Sequence, residues 1–124
     1  MSVDAELRDQ IITSAPLVNG RVYPIIIPQN AVFPCARYNR VSVLRDYTLS
    51  GPDCLPAVRF QVDVFGSSFS AVREAWDEIR KGLDGFDGVG DIQYVTLDNE
   101  TDDYEDDTKL YRVIGDFVVQ YLEQ

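Results

Sequence analysis

Apolar and polar residues along this chain alternate with two different periods, and the changes between them mark out the elements. The clearest strand is 58–64, where Val58, Phe60, Val62 and Val64 alternate with Arg59, Gln61 and Asp63. That period of two gives one buried face. Directly afterwards the period lengthens. Phe69, Val72, Trp76, Ile79 and Leu83 recur at spacings of three and four, which is one face of a helix. Gly66-Ser67-Ser68 supplies the start of that helix, and Gly82 is expected to stop it, with Lys81 beside the negative end of the dipole. Glu74 and Glu78 lie off the stripe as a like-charge pair, so the outer face is not arranged for salt bridges.

The flanking segments are read in the same way. Residues 4–13 are expected to form a short helix capped by Ser2 or Asp4, with Leu7 and Ile11 as an i,i+4 apolar pair. Pro16 ends it, because the residue before a proline avoids the α region. Residues 20–27 are extended, but Pro24 and Pro28 restrict them to an edge or irregular strand. A polar-rich strand follows over 35–44. Residues 45–53 carry turn chemistry at Ser50-Gly51-Pro52 and form a long excursion between paired strands. After a glycine-punctuated turn at 85–90 come two more strands, 92–97 and 111–121. In the last, Tyr111, Val113, Phe117, Val119 and Tyr121 share a face with Gly115, and Arg112, Asp116 and Gln120 point the other way together with Ile114 and Val118.

The order helix, weak strand, two strands, helix, two strands predicts the α+β class: an antiparallel sheet of four to five strands with two helices packed on one face. No repeat and no linker divides the chain, so residues 1–124 are expected to be a single domain.

Composition narrows the functional classes. The 124 residues are 45% hydrophobic and 26% charged, a globular profile. The longest apolar runs, such as 23–27, are strand-sized and too short to span a bilayer. The first residues lack the basic start and apolar core of a signal peptide, so synthesis in a cytoplasm is expected. Cys35 and Cys54 are too few for a disulfide framework and are expected as free thiols, one buried in a strand and one in a loop. The chain contains no histidine, which removes the commonest general base. A net charge of −10 argues against binding free nucleic acid, because that affinity rests on neutralising phosphates. The same charge would suit a protein that lets DNA slide past without holding it.

Three constellations invite a chemical interpretation. Of the ten residues 98–107, seven are acidic: Asp98, Glu100, Asp102, Asp103, Glu105, Asp106 and Asp107. Asp98, Glu100 and Asp102 alternate as early calcium ligands do, but Asp103 stands where the loop needs glycine and Lys109 where it needs the bidentate acid. The run is expected to be a solvated or channel-facing acidic loop between two strands. Gly85, Gly88 and Gly90 resemble a phosphate cradle only superficially, because no helix follows and the Lys-Ser/Thr pair is missing. Arg45, Asp46, Tyr47, Thr48 and Leu49, with Arg37, Tyr38 and Arg40 upstream, are either a contact patch of the residue types favoured at interface hot spots or a plain solvated strand face. No nucleophile–base pair is recognisable, so catalytic, cofactor and metal residues are all expected to be none. A divalent-metal hydrolase using 98–107, or a small cytoplasmic adaptor pairing through a sheet edge, remain as alternatives.

A series of short signatures reaches further. Gly20-Arg21-Val22-Tyr23-Pro24, Pro28-Gln29, Pro34, Tyr38, Val41-Ser42 and Arg45-Asp46-Tyr47-Thr48-Leu49 are followed by Arg59-Phe60-Gln61-Val62-Asp63-Val64 and the helix after Ser67-Ser68. Asp103-Tyr104-Glu105, Tyr111-Arg112-Val113 and Asp116-Phe117 close the series. In order and spacing this resembles the tail-completion family of bacteriophage and prophage tail proteins, over residues 7–121. That family includes tail-to-head joining proteins and is related in fold to tail terminators. Phe65 departs from its pattern, which often has tryptophan there. The resemblance implies a structural subunit at the head-proximal end of a virion tail that completes the tail or joins it to the head, as a ring around the DNA channel. Its implied partners are further copies of itself, the tail tube protein and head-completion or connector proteins. DNA would pass without specific binding, and no membrane is involved.

Overall fold

The computed structural model describes residues 3–44, 47–48, 51–52, 57–86 and 92–121. Helix α1 (Val3–Ser14) is followed by a short 3-10 turn (Pro16–Val18) and strand β1 (Val22–Pro24). Then come β2 (Cys35–Leu44), the two-residue strands β3 (Tyr47–Thr48) and β4 (Gly51–Pro52), and β5 (Ala57–Gly66). Helix α2 (Phe69–Leu83), β6 (Ile92–Glu105) and β7 (Leu110–Tyr121) complete the chain. Five strands form one sheet in the order β1-β2-β5-β7-β6, and β3 and β4 form a separate small ladder.

The α+β class holds, but the sheet is mixed. β1 runs parallel to β2, with Val22 opposite Ala36 and Pro24 opposite Tyr38, while the other pairs are antiparallel. A hairpin was expected here because consecutive strands so often form one. Instead the chain leaves β1 at Pro24, takes Ile25 and later Asn30 into the left-handed region, and re-enters the sheet in the same direction. β5 and β6 also run parallel, with β7 between them, so α2 crosses over β7 and touches all three strands. Helix α1 packs on α2. No helix among the described residues is long and apolar enough to cross a membrane.

The period-two and period-three-to-four residues meet in one core. Val58, Phe60, Val62 and Val64 of β5, with Val113, Phe117 and Val119 of β7, are buried together with Val72, Trp76, Ile79 and Leu83 of α2 and Leu7 and Ile11 of α1. Ser68 caps α2 by accepting a hydrogen bond from the Ala71 amide, as its position before the apolar stripe suggests. Gly82, expected as the stop, lies inside the helix, which ends with Leu83. Its role is steric: a Cβ there would sit 1.8 Å from Ser14 Oγ, so the missing side chain lets α1 approach α2. Gly115 does the same between sheet and helix. A Cβ on it would fall 2.0 Å from Trp76 Cη2, so the indole lies directly on the β7 backbone.

Cys35 is buried at the start of β2, as one of the two cysteines was expected to be; Cys54 lies outside the described residues. Burial pushes the Cys35 thiol from its ordinary 9.0 up to about 11, against a smaller opposing effect of the Arg21 charge. The folded state therefore holds this proton more tightly than the unfolded chain does. Its stabilising contribution is complete below pH 9 and is lost as pH rises through about 11. Native protein treated with a thiol-alkylating reagent at pH 8 should leave Cys35 unmodified in peptide mass spectra, and denaturant should make it react. Full labelling of Cys35 without denaturant would contradict its burial.

Candidate functional site

The acidic run is the feature whose placement departs most from expectation. Residues 98–105 are not a loop: they form the second half of β6, and only 106–109 turn into β7. Aspartate and asparagine disfavour strands, and β6 forms across them because β7 offers a paired ladder out to Leu110 opposite Glu105. The acids can then be sorted by pleat. Glu100 and Asp102 lie opposite Gly115 and Val113, on the face that α2 covers. Arg73 of α2 reaches both, with Nη1 3.3 Å from Glu100 Oε2 and 3.1 Å from Asp102 Oδ1. Trp76 Nε1 donates to the same Glu100 oxygen at 3.0 Å. Desolvation works against the Arg73 charge, but the Glu100 hydrogen bond and the nearby acids outweigh it and raise the Arg73 pKa. These two acids fasten α2 to the sheet.

Asp103 and Glu105 point to the opposite face, where Arg112 donates to Glu105 Oε1 at 3.0 Å and approaches Asp103 at 3.9 Å. Asp98 occupies a bulge between Leu97 and Asn99 and accepts from Arg59 Nη1 at 2.6 Å. That hydrogen bond is the main cause of a raised Arg59 pKa. Asp106 and Asp107, exposed in the turn, have no ion-pair partner among the described residues. Of the seven acids, then, five hold elements of the chain together and two have no ion-pair partner among the described residues.

The face turned away from α2 carries a second polar cluster at its centre. Asp63 on β5 is fully buried and paired with Arg37 of β2, whose Nε lies 3.2 Å away. Gln61 Nε2 donates to both carboxylate oxygens, at 3.0 and 3.2 Å. The Arg37 and Arg112 guanidiniums lie 5.2 and 5.7 Å from the Phe65 ring centre. The position where the resembling family often carries tryptophan thus still holds an aromatic ring between two cations.

Strand β6 is an edge strand whose halves are treated differently. Along 92–97 its outer side is occupied: Gly85 N donates to Val95 O at 2.7 Å, Val95 N to Phe86 O at 3.1 Å and Leu97 N to Asp84 Oδ1 at 3.1 Å. Ile92 N donates to Glu6 Oε2 at 3.3 Å. Along 98–105 no described strand lies outside it. A long bare edge invites unwanted strand pairing, and closely spaced like charges are one way proteins discourage it.

The other expected sites are placed only in part. Arg45, Asp46 and Leu49 lie outside the described residues, and Tyr47 and Thr48 form β3, paired with Pro52 and Gly51 of β4. The glycine run is described only at Gly85, which turns with a positive φ to meet Val95. Among the described residues no group of three or more acidic, histidine or cysteine side chains is set to hold a metal ion. Sequence reasoning missed Arg59, Arg73 and Arg112 as the partners of the acidic run. It also missed an exposed aromatic group near the hairpin tip, where Tyr111 lies 5.7 Å from Phe69 and 4.8 Å from Tyr104 between ring centres. Only the register of β6 on β7 brings those rings together.

Taken together, fold and surfaces define a small α+β domain in which Arg37, Arg59, Arg73 and Arg112 tie helix and strands together through buried and edge acids. Residues 7–121 match the model of the family described as tail completion protein gp17, and the chain belongs to that family. Among solved structures it is similar to a chain of the virion of a native gene transfer agent particle, with a TM-score of 0.72 at 14% identity, covering 98% of this chain and 96% of that one. At that identity the likeness concerns the fold. No curated protein matches the chain. Family membership gives it a structural role in a virion tail.

Proposed function

We propose that this chain completes the head-proximal end of the tail and helps join tail to head, as a ring of identical copies around the DNA channel. The observation that carries this is the family match over 7–121, which takes in every strand, α2 and most of α1. The role is structural and not catalytic. A chain without histidine, in which five of the seven acids of the 98–107 run are engaged by its own side chains, is chemically suited to holding shape. The partners are other copies, the tail tube protein and a head-completion or connector protein. The net charge of −10 keeps the DNA backbone from adhering as it passes. We assign residues 45–49 a contact with one of these neighbours, because β3 and β4 form a ladder apart from the large sheet.

In vitro complementation tests this directly. Extract from a producing strain that lacks this chain should yield few infectious particles, and adding the purified protein should restore them. Restoration should fail for Arg45→Ala combined with Tyr47→Ala if 45–49 is a contact. Extracts equally infectious with and without the protein would remove the proposed role.

A further inference from the structure

The two edges of the large sheet are chemically unlike, and their differences match. Residues 10–45, which include β1 and β2, contain four arginines and no aspartate or glutamate, although Asp4 and Glu78 reach this segment from the helices, at Arg40 and at the Leu17 amide. Arg37 and Arg40 are paired within the chain, to Asp63 and Asp4. Arg21, beside β1, donates to the carbonyls of Pro34 and Leu17 and has no acidic partner among the described residues. Beyond it the chain presents Ile25, 64% exposed, Ile26, 74% exposed, and Val32, 62% exposed.

This apolar knob is held out under strain. Ile25 has φ +64, a left-handed conformation that β-branched residues rarely adopt. Its amide is fixed by donation to Tyr38 O at 2.9 Å. A β-branched residue held in this conformation, with Ile26 and Val32 also turned to solvent, is surface that an apolar contact would cover.

The opposite edge supplies one. Four strand spacings away, roughly 19 Å, the β6–β7 tip carries half-exposed Tyr104 beside Tyr111 and Phe69, and next to them the unpaired Asp106 and Asp107. One edge offers exposed apolar residues beside a cation held by carbonyls alone, and the other an aromatic surface beside two acids with no ion-pair partner among the described residues. Copies with a charge of −10 repel one another in most orientations, and this orientation brings the Arg21 side of one copy to the Asp106–Asp107 turn of the next.

We infer that the chain associates head to tail with a second copy, the Ile25–Ile26–Val32 knob and Arg21 of one docking on the Phe69–Tyr104–Tyr111 surface and Asp106–Asp107 of its neighbour. Contacts between unlike patches leave both ends of a pair able to bind again, which is the contact type that closes rings. The inference deepens the ring proposed above, and it stands on surfaces that can be tested in purified protein.

Sedimentation with two variants, each blocked on one side, decides it. Ile26→Asp removes the knob, and Asp106→Lys combined with Asp107→Lys reverses the acidic side. All three positions are exposed, and Trp76 fluorescence checks that each variant folds. Wild type is expected to self-associate at low salt and to weaken as salt rises. Each variant alone is expected to lose at least roughly tenfold in association, as hot-spot changes do, and to run as a 14.0 kDa monomer. Mixed, they should form a one-to-one dimer and nothing larger, because one intact knob meets one intact aromatic surface. Wild type that stays monomeric at millimolar concentration overturns the inference, as do variants that self-associate like wild type or a mixture that stays monomeric. A chain that associates as described yet fails to complement extracts would instead overturn the tail role and leave this contact standing.

Discussion

Gly115→Val is expected to be the most damaging single substitution away from any interface, lowering stability by about 3 kcal/mol or more. A Cβ at 115 would lie 2.0 Å from Trp76 Cη2 and 2.7 Å from Cζ3, so the indole must leave its site or α2 must lift from β7. Neither is cheap. Trp76 is fully buried, packs against Phe117 at 5.7 Å between ring centres and donates its N–H to Glu100. Lifting α2 would also break the Arg73 pairs with Glu100 and Asp102. The higher strand propensity of valine is worth under about 1 kcal/mol, so the clash decides the sign. Denaturant unfolding followed by circular dichroism measures the loss. The chain has one tryptophan, so a red-shifted emission would show the indole gaining water. Combining Gly115→Ala with Trp76→Phe should cost less than the sum of the two changes, since the smaller ring makes room. Strict additivity would contradict the contact.

The second large effect concerns a charge. Arg37→Ala should cost about 3–5 kcal/mol, because it leaves the fully buried Asp63 carboxylate with Gln61 as its remaining side-chain partner. It also removes one of the two cations over Phe65. Replacing both members of the pair, Arg37→Met with Asp63→Leu, should recover most of that loss, since the penalty comes from stranding one charge. Salt should change these values little, because Asp63 is shielded from solvent. The unfolding midpoints of the two single variants and the double variant provide the check. A double variant as unstable as Arg37→Ala alone would mean that the site needs its charges for a reason other than pairing.

Much of the fold could be read from local pattern, and the reasons for the failures are physical. Strand β5 and helix α2 follow from periodicity and the Ser68 cap, because one buried face per element leaves a regular trace in sequence, while β2 reads only as a polar-rich extended run. The parallel placement of β1 leaves no such trace: three residues with one proline do not encode a direction. Gly82 has the look of a helix stop, but its function is set by Ser14, an element away. The acidic run was misread because strand propensity is a weak local guide. Its order comes from Arg59, Arg73 and Arg112, which lie 39, 27 and 7 residues from the acids they hold. Arg45, Asp46 and Leu49 lie outside the described residues, so the contact proposed for 45–49 rests on residue type and on the separate β3–β4 ladder.

The same acids change the expected basis of any DNA-repelling surface. Were all seven solvated, the run would be a dense negative patch. With five engaged by Arg59, Arg73 and Arg112 or by the Trp76 N–H, the DNA-repelling role proposed for the chain rests on its net charge and not on this run. Asp106 and Asp107 are the two acids of the run that the proposed association uses.

The central claim, that this chain completes the head-proximal end of a tail, is tested most directly by electron microscopy of particles from a producing strain with the gene deleted. The account predicts DNA-filled heads beside separate tails, of normal length if the chain joins tail to head and overlong if it ends tube growth. Intact, infectious particles with tails attached would contradict it.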